Sequence, residues 1–180
     1  MRNRSFKFLL LIGMAASMIL MGNSLGYAED SDITKHTNCP FCGMSRAKFA
    51  HSRMYIEYDD RTTAGVCSLH CAAIDLILNI DKSPHRIWVS DLNTKKLVDA
   101  EKAYWVIGGS KSGVMTRRAK WAFAERADAE KFLQTHGGKI AGFDQAIEAA
   151  YQDIHEDTKM IREKRKMMRM KIKNKKAGSK

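Results

Sequence analysis

Two short cysteine-containing segments constrain this chain more than any other feature. The first reads Asn-Cys-Pro-Phe-Cys-Gly-Met at positions 38–44, and the second reads Val-Cys-Ser-Leu-His-Cys at positions 66–71. Together they contain all four cysteines of the 180-residue chain. A C-x-x-C turn directs two thiolates to one point, and a glycine directly after it lets the backbone fold closely around an ion. The pattern therefore predicts one metal site built from both segments.

The candidate ligands in these segments are soft donors and one imidazole. They are Cys39, Cys42, Met44, Cys67, His70 and Cys71. Cys67 and Cys71 are four residues apart, which places both sulfurs on one face at the start of a predicted helix. Four thiolates suit a closed tetrahedral zinc site, whereas two or three thiolates with a thioether suit Cu(I). A pair of disulfides is the remaining alternative, because the chain has the features of an exported protein.

The first 28 residues have the pattern of a cleavable signal peptide. Three cations occur within the first seven positions, residues 8–21 are apolar, and residues 26–28 read Gly-Tyr-Ala. The apolar stretch is shorter than the roughly 20 residues that span a bilayer. We expect a mature chain that begins near Glu29 and is exported to a periplasm.

Charge is concentrated at the C-terminus. Residues 159–180, called the basic tail below, contain eleven cations and one acid, whereas residues 29–158 contain 17 cations and 19 acids. The nearly neutral body excludes a nucleic-acid-binding domain as the cause of the net charge of +11. The basic tail is rich in helix-forming residues and includes Met160, Met167, Met168 and Met170. It is interpreted as a solvated extension, as a helix that contacts an anionic membrane or acidic partner, or as a second Cu(I) site.

Hydrophobic periodicity predicts an α+β fold with two successive ββαβ-like units, residues 29–101 and 102–158, followed by the basic tail. Residues 29–37 are expected to be a flexible leader. The predicted strands cover residues 52–59, 62–68, 85–91, 103–107, 119–125 and 139–143. The predicted helices cover residues 69–79, with Ser68 as N-cap, and 128–136, with Asp128 as N-cap. No catalytic nucleophile, general base or phosphate-binding loop is evident, so an enzyme is not expected.

Several motifs together resemble the NosL family of nitrous oxide reductase accessory proteins. They are the Cys-Gly-Met step at residues 42–44, Trp-Val-Ser-Asp at 88–91, Val-Asp-Ala at 98–100, Ala-Phe-Ala at 122–124 and His-Gly-Gly at 136–138. The resemblance covers residues 39–147. It implies an exported Cu(I)-binding protein that delivers copper to a periplasmic copper enzyme such as nitrous oxide reductase, or to an assembly protein.

The resemblance also implies which residues bind copper. The copper-binding cysteine of the family corresponds to Cys42, and its methionine corresponds to Met115. Here the methionine loop reads Gly-Val-Met-Thr at 113–116, whereas the family usually has Pro-Met-Gly. The pair Cys67 and Cys71 is instead similar to the cysteine pattern of TRASH or YHS metal modules. The alternative function is therefore a structural or sensory interaction module stabilised by zinc.

Overall fold

The computed structural model describes residues 31–178, which contain seven strands and four helices. The strands are β1 (Met54–Tyr58), β2 (Thr63–Val66), β3 (Pro84–Ser90), β4 (Leu97–Asp99), β5 (Tyr104–Ile107), β6 (Lys120–Phe123) and β7 (Lys139–Ala141). The helices are α1 (Ser31–Lys35), α2 (Leu69–Leu78), α3 (Arg126–His136) and α4 (Phe143–Ala177). The predicted signal peptide lies outside the described residues.

The first unit is a four-stranded antiparallel sheet in the order β2-β1-β3-β4, covered by α2. In β1 the side chains of Met54, Ile56 and Tyr58 are buried, and they alternate with half-buried Tyr55 and Glu57. This period of two points one face of the sheet at the core. The strand-strand-helix-strand order matches the prediction, with β4 as an additional edge strand.

The second unit is a three-stranded antiparallel sheet in the order β6-β5-β7, with α3 connecting β6 to β7. The α+β class and the repeated ββαβ order are thus confirmed. The predicted cap of α3 is wrong, because the helix begins at Arg126 with Glu125 as N-cap, and Asp128 lies inside the first turn. A carboxylate there still interacts favourably with the helix dipole. Gly137 ends the helix at a φ of 71°, as its position predicted.

One hydrophobic core joins the two units. Its buried members include Met54 and Ala72 of the first unit, Trp105 of the second, and Ala146 and Ala150 of α4. The small alanine side chains allow α4 to pack closely on α2 and β5. The helix continues without a break past Thr158 into the basic tail, where residues 162–177 are exposed.

The flexible leader is a wrong prediction. Residues 31–35 of this segment form α1, and the Asp32 side chain is only 6% exposed. The Asp32 carboxylate accepts hydrogen bonds from Arg46 at 2.5 Å and from Arg53 at 3.0 Å, and both guanidinium groups are buried. Two buried cations require a buried anion, so α1 is fixed by charge pairing more than by its own helix propensity.

None of the helices between residues 31 and 178 combines the length and the apolar character that a bilayer span requires.

Candidate metal centre

The first cysteine segment is a tight loop closed by its own backbone. Gly43 N–H donates to the Cys39 carbonyl at 2.8 Å, and Cys39 N–H donates to the Met44 carbonyl at 2.9 Å. Gly43 has a φ of 74°, which favours glycine. The backbone amides of Cys42 and Met44 contribute to lowering the pKa values of the Cys39 and Cys42 thiols, respectively. These amides favour the thiolate form of both residues.

The second cysteine pair lies at the junction of β2 and α2. Cys67 directly follows β2, Ser68 is the N-cap residue, and Cys71 lies in the first turn of α2. Ser52 Oγ donates to the Cys67 carbonyl at 2.8 Å, which fixes this turn against the chain that enters β1. The Cys67 and Cys71 sulfurs are 3.7 Å apart. The helical spacing of the sequence therefore brings these two sulfurs together as predicted.

All four sulfurs converge on one point. The Sγ atoms of Cys39, Cys42, Cys67 and Cys71 all lie within 4.8 Å of one another, and the Cys42 and Cys67 sulfurs are 3.4 Å apart. Four sulfurs at about 2.3 Å from a central ion would be about 3.8 Å apart. The four thiols are free, at separations far longer than a disulfide bond of about 2.05 Å. The cluster thus has the size and the donor set of a thiolate-bound soft metal ion.

Access to the cluster is uneven. Cys39 and Cys71 are 1% exposed and Cys67 is fully buried, whereas Cys42 is only half-buried. An ion can therefore be approached by an incoming ligand from the Cys42 side, while the other three sulfurs face the core.

The thiols differ in how readily they ionise. Hydrogen bonds from the thiols of Cys42, Cys67 and Cys71 lower the pKa of Cys39. The Cys39 thiolate raises the pKa of Cys42, but hydrogen bonds from Cys67 and Cys71 outweigh this effect and lower the Cys42 pKa to about 7. Proximity to the Cys39 thiolate raises the pKa values of Cys67 and Cys71. Full ionisation of the cluster consequently requires a cation at its centre.

The two predicted methionine ligands lie beside the same core. Met44 and Met115 are half-buried and pack against the hydrophobic cluster that contains Cys39, Cys67 and Cys71. Met115 adopts a φ of 61°, an uncommon backbone conformation for a residue with a side chain. Sequence spacing alone could not bring Met115 to this core, because it belongs to the second unit.

His70 has a different environment from the neighbouring cysteines. Its Nδ1 lies 3.6 Å from Asp157 Oδ2 of α4, and both side chains are buried. Burial lowers the His70 pKa, and the opposing effect of Asp157 is smaller. Asp157 Oδ1 also accepts a hydrogen bond from Arg117 N–H at 2.9 Å. Among the described residues, His70 is not part of the group of converging ligand atoms.

One contact at the site had no signal in the sequence. Arg165 of α4 donates from Nη2 to the Cys42 carbonyl at 2.8 Å, although the two residues are 123 positions apart. No short motif or spacing links a residue of the basic tail to the cysteine loop. The contact brings the Arg165 side chain of α4 to the cysteine loop.

The part of the chain that carries the cluster matches a known protein family. The model of the NosL family matches residues 30–151. This chain belongs to the NosL family. The match includes all four cysteines and Met115, and it ends before most of α4. Membership of the NosL family agrees with the expectation that the chain is not an enzyme.

Among solved structures, this NosL protein is similar to the crystal structure of the copper chaperone NosL from Shewanella denitrificans. The two are 21% identical, and the alignment covers 59% of this chain and 87% of that chain with a TM-score of 0.48. No curated protein matches this chain.

Proposed function

We propose that this NosL-family protein is an exported metallochaperone that binds Cu(I) at the cysteine cluster and delivers it to a periplasmic copper enzyme such as nitrous oxide reductase. The observation that carries the proposal is the convergence of four free sulfurs with one of them half-exposed. Thiolates and thioethers select Cu(I) over hard divalent ions. A carrier also needs a route by which its cargo can leave, and Cys42 provides one.

Each cysteine has a distinct role in the proposed transfer. Cys39, Cys67 and Cys71 retain the ion from the buried side, and Cys42 meets the incoming ligand of the partner. Low-coordinate Cu(I) accepts that ligand before it loses an old one, so the ion need not be free in solution. The exchange transfers no electron, because copper remains Cu(I), and the vacated thiolate takes up a proton. Met44 and Met115 are the candidate thioether ligands.

Two features outside the cluster support the proposed location and partners. The pattern of residues 1–28 supports export, with copper delivery in the periplasm. The exposed cations of α4 between residues 162 and 177 support attraction to acidic partner surfaces, including an anionic membrane.

Competition between the mature protein and a Cu(I) chelator under anaerobic conditions tests the copper site. We expect the wild type to bind one Cu(I) at the cluster and Cys42→Ser to lower the affinity at least about 100-fold, because a hydroxyl is a hard, protonated ligand. Met54→Leu is the control, since Met54 is a fully buried core residue. An unchanged affinity in Cys42→Ser would remove Cys42 from the site.

Zinc is the second candidate, and one observation favours it. Three of the four sulfurs are almost inaccessible, as in closed structural zinc sites. Metal analysis of protein isolated from the periplasm separates the two functions. Copper that a chelating partner removes rapidly supports the carrier. Stoichiometric zinc that cannot be removed without unfolding supports the structural module and contradicts the carrier.

A further inference from the structure

The methionines at the end of α4 are not part of a core. Met167, Met168 and Met170 are 51%, 64% and 49% exposed. Residues 162–177 are exposed throughout. Burial of these large apolar side chains therefore does not contribute to the stability of the helix. The segment also lies outside the part of the chain that the family model matches. These thioethers therefore require an explanation of their own.

Helical geometry groups two of the three methionines. Met167 and Met170 are three residues apart within α4, so they lie on one face with Cβ atoms about 5 to 6 Å apart. Met168 is on a neighbouring face. Two long, flexible thioethers at this spacing can reach the same ion, and a thioether needs no deprotonation to bind Cu(I).

The only acid of the basic tail lies on the same face. Glu163 precedes Met167 by four residues and Met170 by seven, which continues one stripe along the helix. Its carboxylate partly offsets the surrounding lysines and arginines at this position. Those cations disfavour divalent ions more than a monovalent ion, so the stripe suits Cu(I) bound weakly.

The stripe lies on the side of α4 opposite the cysteine loop. Arg165, which contacts the Cys42 carbonyl, precedes Met167 by two residues and Met170 by five. At about 100° per residue, these offsets place both methionines about 140 to 160° around the helix axis from Arg165. The stripe is therefore a site separate from the cluster.

From the exposure and spacing of these residues, we propose that Met167 and Met170 form a second, weaker Cu(I) site that is separate from the cysteine cluster. This site does not rest on the proposed function of the cluster. The two thioethers are neutral ligands, so binding releases no proton and copper stays Cu(I).

Titration of the mature protein labelled with ¹³C at the methionine methyl groups tests the second site. We expect the first equivalent of Cu(I) to fill the cluster and the second to shift the Met167 and Met170 resonances most strongly. The variant Met167→Leu/Met170→Leu should bind about one Cu(I), where the wild type binds about two. Met168→Leu is the matched control, because it removes a thioether of the same segment from a different face, and it should still bind two.

Three outcomes would overturn the second site. They are a stoichiometry of one in the wild type, equal effects of Met168→Leu and the double variant, and methyl resonances that do not move. If the cluster itself does not bind copper, the titration gives a different result. The first equivalent of Cu(I) would then shift the methyl resonances of Met167 and Met170.

Discussion

At the scale of single residues, the metal site combines two locally fixed cysteine pairs with contacts from α4. Cys39 and Cys42 are joined by a tight turn and Cys67 and Cys71 by one helical turn, so each pair is fixed locally. Arg165 and Asp157 of α4 meet the two cysteine segments only through the tertiary fold.

The buried charges around α1 make a strong prediction about stability. Asp32→Ala leaves Arg46 and Arg53 without their buried anion, and should lower the free energy of unfolding by about 3 to 5 kcal/mol. Urea denaturation of the mature protein measures this. Asp81→Ala is the control, since Asp81 is exposed, and it should change stability by less than about 0.5 kcal/mol. Similar small effects for both variants would show that α1 is not fixed by Asp32.

Asp91 makes a prediction about acid stability. Its Oδ1 accepts hydrogen bonds from Asn93 and Thr94, and its Oδ2 accepts one from Ala124 N–H at 2.9 Å in the second unit. Burial raises the pKa of this carboxyl, but the backbone bonds from Thr94 and Ala124 outweigh it, and the Asp91 pKa is lowered. A lowered folded-state pKa stabilises the protein above the unfolded value of about 3.9 and ceases to do so as the pH falls through the folded value.

The test compares Asp91→Asn with the wild type in urea at several pH values. At pH 7 the variant should be about 1 to 3 kcal/mol less stable, because an amide cannot replace the oxygen that faces Ala124 N–H. Below pH 4 the gap should narrow as the wild type loses its charged carboxylate. A gap that stays constant from pH 7 to pH 2.5 would contradict this role.

At the scale of elements, the two ββαβ units followed from period-two and helical patterning, and the errors occurred where tertiary contacts dominate. The leader became α1 because Asp32 pairs with two buried arginines. The α3 helix begins at Arg126, before the predicted Asp128 cap, because Glu125 already provides the extended backbone of an N-cap. The basic tail proved to be the continuation of α4, which composition alone could not join to residues 143–158.

The long helix α4 allows a comparison of two truncations. Ending the chain after Met170 removes only exposed residues among those described, so the free energy of unfolding should change by less than about 0.5 kcal/mol. Ending it after Thr158 also removes buried Met160 and the Arg165 bond to Cys42, and should cost about 2 to 3 kcal/mol. Equal stabilities of the two truncated proteins in urea would show that α4 contributes nothing beyond Thr158.

At the scale of the whole molecule, a nearly neutral body carries the cysteine cluster and a strongly cationic helix extends from it. The shared core fixes α2, with Cys71, against α4, so the cluster is anchored to the core that joins the two units. Such a rigid arrangement keeps three sulfurs buried and leaves Cys42 as the point of exchange. The central claim is that this cluster binds Cu(I) through sulfur.

X-ray absorption spectroscopy of the mature protein loaded anaerobically with one equivalent of Cu(I) tests that claim most directly. We predict a copper ion surrounded by sulfur alone, with at least three sulfur ligands in the wild type and fewer in Cys42→Ser. A first shell dominated by nitrogen or oxygen, or an identical sulfur shell in Cys42→Ser, would contradict the assignment of the cysteine cluster as the copper site.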